Sequence, residues 1–95
     1  MSRMTIDSEG TKRWRNARGE LHRIDGPAFE WSNGTKMWYV NGRHHRLDGP
    51  AYEVFEGSMG WYIDGVRCFN FKDFQVAGRL TNDQMTILRL KYGEI

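Results

Sequence analysis

The chain has 95 residues, 39% hydrophobic and 27% charged, which bounds it to one domain (residues 1–95) with too modest an interior for a deep enzyme cleft. Fourteen basic residues against 12 acidic give a net charge of +2, far below a histone-like tail, and a 14% aromatic content with four Trp argues against disorder. No apolar stretch approaches the roughly 20 residues of a membrane helix, the first ten residues lack the apolar core of a signal peptide, and the single Cys68 excludes an internal disulfide or a cysteine-based zinc site, so a cytoplasmic protein with no membrane partner is expected.

An internal repeat dominates the chain. Gly10-Thr-Lys-Arg-Trp14 matches Gly34-Thr-Lys-Met-Trp38, and Leu21-His-Arg-Ile-Asp-Gly-Pro-Ala28 matches His44-His-Arg-Leu-Asp-Gly-Pro-Ala51, 23 residues later. Trp14, Trp38 and Trp61 are spaced by 24 and then 23, the extra residue lying between Trp14 and Gly19. A third unit begins at Gly57 and carries Trp61 and Gly65. It then decays, with Cys68 where His22 and His45 stand and Phe69 where the arginines stand.

Turn signals divide the units. Asn33-Gly34, Asn41-Gly42 and Asp64-Gly65 are the preferred pairs of two-residue type I′ turns, and Glu56-Gly57 occupies the place of Asn33-Gly34. Strands of about five residues are predicted between them, over 28–31, 36–40, 51–55 and 61–63. Pro27 and Pro50 supply no ladder donor and suit a strand's first residue. Alternation sets Phe29 and Trp31 opposite Ala28 and Glu30, and Lys36, Trp38 and Val40 opposite Met37 and Tyr39. Rings therefore lie on both faces. Either a single-layer sheet carries two aromatic faces, or the sheet curls and packs one face on the C-terminal segment. The second is expected, because that segment reads as helical.

Residues 71–77 predict two helical turns stopped by Gly78. Thr81 as N-cap with Gln84 three residues inside is a capping box, opening a helix over 82–92 that Gly93 ends. Met85, Leu88 and Tyr92 follow at helical spacing, with Ile87 and Leu90 widening the apolar stripe. Such an atypical end serves as the cap of a repeat array. The fold class is thus mainly β with a C-terminal helix (α+β). Eight or nine short antiparallel strands form one curved meander over 1–70, capped by helical residues 71–95.

The units resemble a family of viral proteins, mostly from tailed bacteriophages and large DNA viruses, built from tandem units of the form G-S/T-K-x-W-Y-x-N-G-x-x-H-R-x-D-G-P-A and related in style to MORN repeats. The match is nearly complete over 34–51 and carries one insertion over 10–28. Many of those proteins end in a degenerate unit and a short helix closing on Leu-Lys-Tyr, as at Leu90, Lys91 and Tyr92 here. The resemblance covers 10–92 and implies repeated hairpins. It brings no catalytic residues. It implies a small phage-encoded protein of the host cytoplasm, of the kind used in host takeover or anti-defence.

Two pairs invite chemistry. His22 with Asp25, and His45 with Asp48, have the residue types of an acid–base dyad or of metal ligands. Duplication favours a structural role: an active site is needed once, whereas a fold element recurs in every unit. Arg23 and Arg46 recur likewise and are expected to stack on tryptophans or pair with Asp25 and Asp48. Gly26-Pro27 and Gly49-Pro50 complete the structural motif. Cys68 is read as a buried filler, and neither a metal nor a cofactor is expected.

Lys12, Arg13, Arg15 and Arg18 exceed what the repeat needs. Residues 11–23 carry five basic side chains against Glu20, whereas 51–65 carry only Glu53, Glu56 and Asp64. Together with Trp14, Lys36, Trp38 and Arg43 these form the candidate binding set. The expected function is non-catalytic binding: a phage-encoded inhibitor of a host protein, a component of CRISPR, restriction or another defence system. A second reading is a nucleic-acid-binding module that stacks bases on tryptophan and pairs phosphates with the basic residues. A third is an enzyme using His45 and Asp48. Open sheet edges also allow a homodimer through the N-terminal strand or the cap.

Overall fold

A computed structural model of the chain describes residues 2–93. Its strands are β1 (Arg3–Ile6), β2 (Lys12–Arg15), β3 (Phe29–Glu30), β4 (Lys36–Met37), β5 (Tyr39–Val40), β6 (Arg43–His44), β7 (Tyr52–Glu53), β8 (Met59–Ile63) and β9 (Val66–Cys68). The helices α1 (Phe71–Gly78) and α2 (Asn82–Tyr92) follow. Seven strands form one antiparallel sheet in the order β1-β2-β3-β4-β7-β8-β9, and β5 and β6 pair as a separate hairpin. The mainly β fold with a helical C-terminus is therefore as expected.

The strands differ from expectation in length and continuity. The single strand expected over 36–40 breaks at Trp38. There the backbone N–H donates to Ala51 O at 2.6 Å and the carbonyl accepts from His45 N at 3.2 Å. Residues before the ring pair with β7 and residues after it pair with β6, so Trp38 is a corner where the chain changes partners. Trp14 has the same two bonds, to Ala28 O and from His22 N. β8 makes the same change within one strand, Met59 and Gly60 pairing with β7 and the three residues from Trp61 with β9. Each repeat tryptophan thus marks a corner, and the ladders on either side shrink to two residues in β3 to β7.

The turns also fall into two classes. Asn41 (φ 49) with Gly42 (φ 79), and Asp64 (φ 49) with Gly65 (φ 81), have both central residues left-handed, as type I′ requires. Asn33-Gly34 does not. Gly34 N donates to Trp31 O and Trp31 N to Thr35 O, a three-residue loop in which only the glycine is left-handed. The extra residue of the first unit has the same effect: Gly19 N donates to Asn16 O and Asn16 N to Glu20 O, a three-residue loop where the second unit has Asn41-Gly42.

The register sorts the two faces. One carries the row Thr5, Arg13, Phe29, Met37, Tyr52 and Gly60. The other carries Ile6, Lys12, Glu30, Lys36, Glu53 and Met59, in which opposite charges alternate across four strands. Trp14, Trp38 and Trp61 belong to this second face by strand alternation.

The main hydrophobic core cluster lies in the third unit, although Ala28 and Ala51 are also fully buried. Trp61, Ile63 and Cys68 of the sheet are buried against Phe71, Phe74, Leu80, Met85 and Leu88, with Tyr92 packed beside them. Phe71, Phe74 and Tyr92 all meet the Trp61 ring edge-on, at 5.1, 5.0 and 5.2 Å. The expected packing of one sheet face on the C-terminal segment holds there, while the first two units keep rings on both faces. The capping box forms in both halves: Gln84 N donates to Thr81 Oγ1 at 3.1 Å and Thr81 N to Gln84 Oε1 at 2.8 Å. Two expectations fail. Gly78 lies within α1, and the left-handed terminator is Arg79 (φ 54); a Cβ on Gly78 would stand 3.1 Å from Leu47 and 3.3 Å from Ile63. Ile87 and Leu90 do not widen the stripe but are exposed. At about 100° per residue they fall opposite Met85, Leu88 and Tyr92, which α2 turns to the core. Among the described residues no helix is long and apolar enough to cross a membrane.

Candidate functional site

The recurring His-Arg-x-Asp-Gly-Pro segments form two like loops. Arg23 donates from Nε to Asp25 Oδ1 at 3.0 Å and from a terminal nitrogen to Pro27 O at 3.2 Å, with its guanidinium 4.0 Å from the Trp14 ring centre. Arg46 repeats this on Asp48 at 2.9 Å, Pro50 O at 3.1 Å and Trp38 at 3.7 Å, and adds Glu53 at 3.4 Å. A planar fork meets two acceptors while its flat side covers an indole, a geometry that a lysine lacks. Both arginines are thus engaged as expected.

The histidines hold the next hairpin. His22 Nδ1 accepts from Asn41 N at 2.9 Å, and His45 Nδ1 accepts from Asp64 N at 3.0 Å, each reaching 19 residues along the chain. Both donors open a left-handed turn, so each histidine fixes the point where the following type I′ hairpin reverses. His22 and Asp25 therefore serve different partners, as do His45 and Asp48, and neither pair is joined as a dyad. Among the described residues no group of three or more His, Cys, Asp or Glu is placed to hold a metal ion. Cys68 is buried in the cap core where the histidines stand in earlier units. Burial, reinforced by the charge of Asp73, pushes its thiol up.

The basic candidates are not brought to one place. Lys12 and Lys36 lie in the charge-alternating row beside Glu30 and Glu53. Arg13 and Arg15 point to the other face. Arg13 bridges Asp7 at 3.1 Å and lies 5.2 Å from the Phe29 ring. The N–H of Thr11, then the Arg13 guanidinium, hold the Asp7 carboxyl below the usual range. Arg15 stands directly opposite Arg3 in the ladder, a neighbour the repeat did not point to because Arg3 precedes it. Arg18, in the loop before Glu20, and Arg43, in β6, are exposed and line a shallow hollow with Asn41 and Asp64.

Trp38 has a different setting. A groove of about 630 Å³ opens beside it, between the loop bearing Arg23, Asp25 and Pro27 and the loop bearing Arg46 and Asp48. Val40 and His45 join Trp38 as its floor, and Ile24 and Leu47 rise from the two loops as its walls. Ile24 is 77% exposed. Both wall residues occupy the variable position between Arg and Asp of the motif. An apolar side chain held outward in both copies was the signal for this groove in the sequence, and only the fold shows that the two loops face each other. No family model, curated protein or solved structure matches the chain.

Proposed function

We propose that the protein is a non-catalytic binding module that docks its tryptophan face on a host protein and inhibits it. The observation that supports this best is the groove at Trp38, where exposed aliphatic walls and an indole floor lie between two loops locked by Arg–Asp pairs. Preformed apolar concavities rimmed by fixed polar groups are where proteins bind partners, and Trp and Arg are the residues that dominate such contacts. Lys36 and Trp38 of the candidate set border this surface; Lys12 and Trp14 extend it into the first unit. The resemblance to viral hairpin-repeat proteins supplies the setting, a phage-encoded factor acting on a bacterial defence component. Affinity capture of the tagged protein from a bacterial lysate, with and without nuclease, tests this. A stoichiometric protein that survives nuclease supports the reading, and recovery of nuclease-sensitive material alone overturns it.

One observation favours a nucleic-acid reading as the second. Arg3 and Arg15 stand side by side, on the same face as Arg13 and away from the tryptophans, and neither Arg3 nor Arg15 forms an ion pair among the described residues. Like charges directly opposite destabilise a ladder unless an anion lies between them. This reading expects oligonucleotide affinity to fall steeply with salt. Absence of retention at low salt contradicts it.

A further inference from the structure

The repeat supplies an internal template for what fills the groove. Advancing the groove's Ile24, Trp38 and Val40 by one unit of 23 carries them to Leu47, Trp61 and Ile63, while Leu47 itself falls on Asn70, the N-cap of α1. At that second location the space is filled by the chain's own helices. Phe71 and Phe74 meet Trp61, Gly78 passes between Leu47 and Ile63, and the Tyr92 hydroxyl stands 2.7 Å from where a Cβ on Gly49 would lie. Trp61 and Ile63 are buried there, whereas Trp38 and Val40 are only half-buried. Leu47 belongs to both places: it walls the groove on one side and touches α1 on the other. The open groove is therefore continuous with the sheet–cap interface and repeats its apolar elements one unit earlier.

We infer that the groove receives an amphipathic helix from a partner protein, one bearing aromatic residues at i and i+3 and a glycine or alanine at i+7. That is the pattern of Phe71, Phe74 and Gly78 in the chain's own cap. The two aromatic side chains lie over Trp38, and the small residue lets the helix pass between Ile24 and Val40 as Gly78 passes between Leu47 and Ile63. One difference shapes the fit: Arg46 covers part of Trp38, where Phe69 replaces the arginine in the third unit. The incoming helix thus meets the indole beside a guanidinium, which favours an aromatic ring able to stack on both. A second copy of this chain is not the occupant, because its own Phe71 and Phe74 are buried on its own sheet. This inference rests on the binding-module reading and names the class of partner segment.

The test is a titration of the isotopically labelled full chain with a synthetic peptide of residues 70–92, read residue by residue by NMR. Saturable shifts at Ile24, Trp38, Val40 and Leu47 are expected. Ile24→Asp, at an exposed position that leaves the core intact, is expected to weaken binding about tenfold or more. Val40→Ile, which copies the cap site, is expected to tighten it. A peptide carrying Phe71→Ala and Phe74→Ala is expected not to bind. Absence of saturable shifts overturns the inference. So do shifts confined to Trp61, Met85 and Leu88, the mark of exchange with the chain's own cap, and a dimer in sedimentation that Ile24→Asp dissolves. The two readings fail separately. A host protein captured equally by wild type and by Ile24→Asp sinks the groove inference and leaves the binding module standing, whereas failure of the wild type to capture any protein sinks the module itself.

Discussion

His44 stands on the face away from the helices, stacked on Tyr39 at 4.2 Å and tilted against Tyr62 at 4.9 Å, with Tyr52 at 6.1 Å. Its Nδ1 is buried without a hydrogen-bond partner. Burial pushes its pKa below the ordinary 6.5, with the Trp38 carbonyl acting weakly the other way. Burial likewise pushes the Tyr39 phenol up. With the folded-state pKa of His44 lowered, the unfolded chain binds more protons, so stability is full above the ordinary histidine pKa and falls as pH drops through it. Thermal unfolding of wild type is expected to weaken between pH 7.5 and 5.5, and His44→Phe to weaken less; equal losses contradict the assignment. Gly60 supports the same cluster, since a Cβ there would overlap the Tyr52 ring across the ladder. Gly60→Ala is expected to cost about 2 kcal/mol in urea unfolding, and a neutral result would mean the ring is free to move. Neither role was legible beforehand. His44 occupies the place of Leu21, so the repeat marked it as apolar, and only the register shows which ring lies over a glycine.

At the scale of the element, the Arg-x-Asp-Gly-Pro loops act as clamps that turn a polar chain at a tryptophan corner. The side chain of Arg46 is 11% exposed and that of Arg23 is 23% exposed, and Arg46 has Glu53 as an additional partner. Arg46→Ala is therefore expected to lower stability by about 2 kcal/mol and Arg23→Ala by less, read from urea midpoints. Arg46→Lys recovers only part of the loss, because an ammonium cannot serve both acceptors and the indole face at once. Equal costs for the two arginines would contradict this order. Thr81→Ala removes the side-chain half of the α2 capping box, the acceptor of Gln84 N, at about 1 kcal/mol, measured the same way. These elements were the most legible in the sequence: recurrence marked the clamp as an element of the fold, and the Thr81–Gln84 spacing set the helix start. Strand lengths were not legible, since the change of partner at each tryptophan is a backbone event that side-chain alternation does not encode.

Across the whole molecule, order is graded along the chain. The extents are 41 × 29 × 19 Å, and the main hydrophobic core cluster lies between β8, β9 and the helical segment, while every residue of β1 is exposed. The first two units replace a core with Arg–Trp stacks and an alternating charge row. Amide exchange is accordingly expected to be slowest in β8 and α1 and fastest in β1; uniform protection would contradict this polarity. The sequence showed which residues recur, and hence the meander and the cap. The candidate site was legible only in part: alternation separates Lys12 from Arg13, but placing Ile24 opposite Leu47 requires the pitch of the repeat. Whether this protein meets its partner at the Trp38 groove is read from a photo-crosslinking residue placed at position 24 and, as a control, at exposed Val76 on α1. One protein adduct from a nuclease-treated bacterial lysate is expected at position 24 and none at position 76. No adduct at position 24, or the same adducts from both positions, would contradict it.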